Sequence, residues 1–183
     1  MKKTVWTFGL ISGGIVSLLM AVATAFQDAI GFDRGEIIGY STMVLSFLLI
    51  FFGVRSYRDN VAGGRVGFGR AFVVGSLIAL ISSACYVATW EVIYFKFSPD
   101  FSAKYAAHVI EKARASGASQ AAIDAKVADM QKFQAMYSNP LANIAMTFME
   151  PLPVGLVIAL VSAGILRRKR EERAEGGLAR AIG

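Results

Sequence analysis

Two carboxylates stand where charge is costly. Glu91 and Glu150 each interrupt a long apolar run, and an ionisable side chain in such a setting is a functional-site hypothesis by default. Glu150 lies in Met149-Glu150-Pro151-Leu152-Pro153. Each proline removes a backbone donor and crowds the preceding turn, which frees carbonyls around the carboxylate. A broken helix beside an acid is one way membrane proteins build a proton or cation site. Glu91 follows Trp90, with Tyr86 and Tyr94 close in sequence. The chemistry this suggests is a proton- or cation-responsive site formed by Glu91 and Glu150. The plainer reading places Glu91 among headgroups in an aromatic belt, paired with Lys96 or Arg34, and has Glu150 satisfying backbone donors at a kink.

A second group is basic. Arg55, Arg58, Arg65 and Arg70 flank a glycine-rich stretch, Gly63-Gly64-Arg65-Val66-Gly67-Phe68-Gly69-Arg70. Flexible backbone with guanidinium groups can clasp a lipid phosphate. The spacing fits neither the dinucleotide nor the P-loop pattern. A membrane-boundary turn carrying orientation-setting arginines explains it more simply. The remaining chemistry is sparse. There is one cysteine, Cys85, inside an apolar run, and one histidine, His108, in a polar segment. Cys85 reads as a small packing residue and His108 as a surface residue. No metal-ligand cluster and no nucleophile beside a base is visible, so no metal, cofactor or enzymatic activity is expected.

The elements that must hold these residues are four apolar segments, at about residues 4–26, 37–54, 71–95 and 141–166. Each approximates the 20 or so residues that a membrane-spanning helix needs. Of 19 Lys and Arg and 13 Asp and Glu, only Glu91 and Glu150 fall inside them. The hydrophobic fraction is 55% and the charged fraction 17%, the latter below the roughly 25% of soluble chains. The formal charge of +6 raises nucleic acid as a partner. However, the basic residues cluster beside the apolar runs and form no face, so the expected partner surface is the lipid bilayer.

Those clusters set a direction. Lys2 and Lys3 precede the first segment, the four arginines fill the second link, and Arg167, Arg168, Lys169, Arg170 and Arg173 follow the fourth segment. The first link, with Asp28, Asp33, Arg34 and Glu36, is net acidic. The positive-inside rule puts both termini and the middle link in the cytoplasm of a bacterial inner membrane. At 1.5 Å per residue, Glu91 lies roughly 30 Å beyond Arg70 and Glu150 roughly 25 Å before Arg167, so both occupy the outer part of the bundle. A cleavable signal peptide ending in Ala21-Val22-Ala23 or Ala23-Thr24-Ala25 is the rival for the first segment. Its apolar run exceeds the usual core of such peptides and carries Gly9, Gly13 and Ser17 at four-residue spacing. Similar small-residue stripes occur at Gly75, Ala79 and Ser83 and at Gly155, Ala159 and Ala163. They predict close helix contacts, within a chain or between chains.

Residues 96–139 are polar and alanine-rich. Ser98-Pro99-Asp100 predicts a capped helix start, and Phe101, Tyr105 and Val109 recur every four residues. Ser116-Gly117-Ala118-Ser119 supplies a stop and a new cap, followed by Ile123, Val127, Met130 and Phe133. This predicts an amphipathic helical hairpin over residues 98–138, outside the membrane between the third and fourth spans. Residues 171–183 read as a flexible charged cytoplasmic tail after a single membrane domain over 1–170.

Three stretches also carry a family likeness: residues 52–60 (Phe-Gly-Val-Arg-Ser-Tyr-Arg-Asp-Asn), Phe68-Gly69-Arg70-Ala71-Phe72, and Ala88-Thr89-Trp90-Glu91. With Pro99-Asp100-Phe101 and Lys104-Tyr105-Ala106-Ala107-His108, the chain resembles the bacterial family called domain of unknown function 4199. The resemblance implies a four-span inner-membrane protein with its first segment retained, and it implies no activity. The expected class is an all-α membrane protein acting as a non-enzymatic scaffold or accessory subunit. The alternative is a small oligomeric transporter or channel using Glu150 and Glu91. A homo-oligomer or a membrane partner protein would serve either role.

Overall fold

A computed structural model describes residues 1–167; the expected tail at 171–183, with Arg168, Lys169, Arg170 and Arg173, lies outside the described residues. Among the described residues eight α-helices follow in order: α1 (Lys2–Ala25), α2 (Gln27–Ile30), α3 (Phe32–Asn60), α4 (Phe68–Val92), α5 (Phe101–Ala115), α6 (Gln120–Tyr137), α7 (Pro140–Phe148) and α8 (Pro151–Leu166). No strand occurs among the described residues. A π-helical turn, Ile93–Phe97, extends α4. Four helices are long and apolar enough to cross a membrane: α1, α3, α4 with its π turn, and α7 with α8 taken together.

The apolar sequence buries little of itself. Trp6, Leu18, Leu45, Val157 and Ile165 are all more than half exposed, as side chains that face lipid would be. Association therefore rests on close backbone approach. A Cβ added at Gly75 would lie 2.8 Å from the Ala159 Cβ, and one at Gly155 would lie 2.7 Å from the Ala79 Cβ. The second and third small-residue stripes thus face each other across α4 and α8, within one chain. The first stripe seats α1 on α4, with Gly9 against Ile81 and Gly13 against Cys85. Two serines add hydrogen bonds between helices. Ser12 Oγ donates to the Ser46 carbonyl at 2.9 Å, and Ser82 Oγ donates to the Gly9 carbonyl at 3.1 Å. The α3–α4 pair forms the middle of the bundle, with α1 and α8 on either side of it.

The dry core lies toward the end that carries the 61–67 link. Phe47, Ile50, Val54, Val74 and Ile78 are fully buried there, and Val66 of the link folds onto them. At the other end α5 and α6 pack against each other, and Phe32, at the start of α3, lies against Phe101, Tyr105 and His108 of α5. His108 was expected at the surface. It is half-buried against Phe32, and its Nε2 lies 3.2 Å from Asp33 Oδ1, an acid that also accepts from Lys112 Nζ at 2.6 Å.

The start of α5 also departs from expectation. Asp100, not Ser98, occupies the cap position, and no side chain caps the helix. The π turn ends at Ser98, whose backbone N–H donates to the Ile93 carbonyl at 2.8 Å and whose own carbonyl accepts from Phe101 N. Asp100 pairs with Lys104 at 3.0 Å instead. Ser119 and Asn139 do cap α6 and α7, Asn139 Oδ1 accepting from the Leu141 and Ala142 amides.

Candidate functional site

Helical spacing converges aromatic side chains on one region. Tyr86 and Trp90 of α4, Phe101 and Tyr105 of α5, and Phe133 and Tyr137 of α6 are each four residues apart and share a helix face. Trp90 meets Phe101 edge-on at 4.9 Å between centroids, Tyr105 and Phe133 are tilted at 5.6 Å and Phe133 and Tyr137 at 4.4 Å, and Phe101 and Tyr105 are stacked at 6.4 Å. Beneath them lies a partly enclosed chamber of about 290 Å³. Its other walls are the last turns of α1, the first turns of α3 from Gly35 to Met43, and the α7–α8 break.

Glu150 enters the chamber from that break. Pro151 and Pro153 offer no N–H to the Thr147 and Met149 carbonyls, so the helix cannot run through. The Thr147 carbonyl accepts from Glu150 N at 3.3 Å instead. Glu150 is left between α7 and α8, and its Oε2 accepts a hydrogen bond from the Tyr86 hydroxyl at 3.1 Å. Asn143, fully buried, secures the approach. Its Nδ2 donates to the Tyr137 carbonyl at 3.0 Å, and its Oδ1 accepts from Thr147 Oγ1 at 3.0 Å.

The chamber is acidic and aromatic. Glu36 lines it alongside Glu150, while no lysine, arginine or histidine among the described residues does. Burial, reinforced by the charge of Glu150, pushes the Tyr137 phenol far above its ordinary range. Two donors on lining residues, Trp90 Nε1 and Gln27 Nε2, are buried without a hydrogen-bond partner. Among the described residues, no group of three or more His, Cys, Asp or Glu side chains is placed to hold a metal ion.

A family model described as "Protein of unknown function (DUF4199)" matches residues 7–168. The chain belongs to this family. No curated protein and no solved structure matches it. The DUF4199 match covers the chamber and, apart from the start of α1, the four long helices.

Of the residues singled out in the sequence, the structure brings Glu150 and Tyr86 together and keeps Glu91 apart. Glu91 does not line the chamber, and its Oε1 is buried without a partner. It forms no ion pair with Lys96 or Arg34 among the described residues. The second chamber carboxylate is Glu36, read in the sequence only as part of an acidic link. Its spacing from Tyr40, four residues on, was the available signal. At the opposite end, Arg55 and Arg58 both turn to Asp59, at 3.7 and 2.7 Å. Arg65 and Arg70 are exposed around the 61–67 link and make no ion pair among the described residues. Asn143 and Phe32 were not anticipated, because an asparagine buried in an apolar helix and a phenylalanine in a link look alike in any packing role.

Proposed function

We propose that this protein is a non-enzymatic, small-molecule-binding accessory subunit of a bacterial inner membrane, and that its binding site is the chamber around Glu150. The observation that carries this reading is a carboxylate held by Tyr86 in an aromatic-walled space of about 290 Å³ within a single chain. Small-molecule sites are usually apolar cavities of roughly 300–1,000 Å³ with a few converging polar groups, and the chamber sits at the lower end of that range. The three basic clusters support cytoplasmic termini, which puts the α5–α6 hairpin and the chamber on the outer side. Met20 and Thr24 of α1 line the chamber, which supports retention of the first segment. Of the four arginines flanking the 61–67 link, Arg65 and Arg70 make no ion pair among the described residues, which suits them to lipid phosphates or a membrane partner.

The broken α7–α8 helix favours a second reading, a small oligomeric transporter. A passage toward the cytoplasm would have to open the core at Phe47, Ile50, Val54, Val74 and Ile78, all of which are fully buried. That packing supports a dead-ended chamber. The test is flux in liposomes containing the purified full-length protein. Absence of proton or cation flux above empty liposomes, together with a saturable ligand-induced change in Trp fluorescence, is the expected result. Robust flux abolished by Glu150→Gln would replace the accessory reading with transport.

A further inference from the structure

We propose that the chamber takes a substituted ammonium group, of the kind carried by choline or ethanolamine, whether free or as a phospholipid headgroup. The inference rests on the reading of the chamber as a ligand site. Three features set the class. Glu36 and Glu150 bring two carboxyl groups to a space that no lysine, arginine or histidine among the described residues lines, so a cationic occupant would meet complementary charge there. Tyr40, Tyr86, Trp90, Tyr105 and Tyr137 line that space, and aromatic cages attract alkylammonium groups. A divalent metal would instead need six or so oxygen ligands, and three acidic or histidine side chains do not come together among the described residues.

The third feature gives the occupant a second polar end. Trp90 is only 7% exposed, yet its indole N–H finds no acceptor, and the Gln27 amide nitrogen is in the same condition. Buried donors are normally satisfied, so an acceptor oxygen on the ligand is the natural complement. An ammonium group one or two carbons from a hydroxyl or phosphate oxygen meets both requirements. The carboxylates would face the cation, and Trp90 and Gln27 would donate to the oxygen.

The test uses the full-length protein with Trp6→Phe, which removes the lipid-facing indole and leaves Trp90 as the reporter. Choline is titrated against its uncharged isostere 3,3-dimethylbutan-1-ol, first in nanodiscs of phosphatidylglycerol alone. The expected result is saturable quenching by choline, with the isostere at least about tenfold weaker. Glu150→Gln and, independently, the exposed Glu36→Gln should each weaken choline by about tenfold. Nanodiscs containing phosphatidylethanolamine separate the two sources. If choline binding is suppressed there, the headgroup is the occupant; if unchanged, the soluble amine is. Equal binding of choline and isostere would overturn the ammonium inference and leave the chamber reading standing. Binding of neither in phosphatidylglycerol, by protein whose thermal transition is intact, would overturn both.

Discussion

The Tyr86 hydroxyl donates to Glu150 Oε2 over 3.1 Å, linking residues 64 positions apart in the chain. This contact ties the C-terminal part of α4 to the break between α7 and α8. It fixes the direction of the only carboxylate on the fourth span and joins it to the aromatic wall. Replacement of Tyr86 by Phe keeps the ring and removes the donor. Interhelical hydrogen bonds within membranes contribute modestly, so Tyr86→Phe should lower stability by about 1 kcal/mol in detergent unfolding. A larger loss would mean that the hydroxyl supports more of the bundle than this one contact.

The α4–α8 interface rests on size. Gly75→Ala places a Cβ 2.8 Å from the Ala159 Cβ, and overpacking of this kind costs about 1–3 kcal/mol. Adding Ala159→Gly should restore most of that loss, because it removes the obstructing atom. Thermal unfolding of the two single variants and the double variant provides the check. Additive losses would mean that the two helices do not meet at this point.

Asn143 is the polar residue in the fourth span with most to lose. Asn143→Leu leaves the Tyr137 carbonyl without its donor and Thr147 Oγ1 without its acceptor. The expected destabilisation is about 1–3 kcal/mol, the usual cost of orphaning a buried polar group. Hydrogen exchange should also quicken at the α6–α7 junction before it changes elsewhere.

Phe32 and Asp33 hold α5 in different ways. Phe32 packs on Phe101, Tyr105 and His108, whereas Asp33 pairs with Lys112 at an exposed position. Exposed ion pairs contribute little, and buried aromatic surface contributes more. Phe32→Ala should therefore raise amide exchange across α5 severalfold, while Asp33→Asn should leave it nearly unchanged. The reverse order would show that charge, not the ring, docks the helix.

Much of this fold was legible in sequence because bilayer thickness and charge exclusion act on every residue of a span. The four apolar runs coincide with the long helices. The Pro151–Pro153 pair marks the break, and the three small-residue stripes mark contact faces that the structure shows to be within one chain. Residues 37–54 fell short of Phe32–Asn60 because α3 continues past its apolar stretch at both ends, through Asp33 and Glu36 on one side and Arg55 and Arg58 on the other. The site was legible only in part. Glu150 was visible as a charge in an apolar run, whereas Glu36 lay in a link full of charges and carried no such contrast. Which carboxylates meet depends on helix rotation, and periodicity alone cannot relate the rotation of α3 to that of α7. Glu91 sits one residue from Trp90 and hence about 100° around the helix, enough to keep it off the chamber wall.

The proposed opening of the Glu150 chamber toward the outer side makes this position reachable from that side alone. In a Cys85→Ser background, Glu150→Cys should react with a membrane-impermeant, trimethylammonium-bearing thiosulfonate in right-side-out vesicles and be protected in inside-out vesicles. Labelling from the inner side alone, or from neither side until the protein is unfolded, would contradict it.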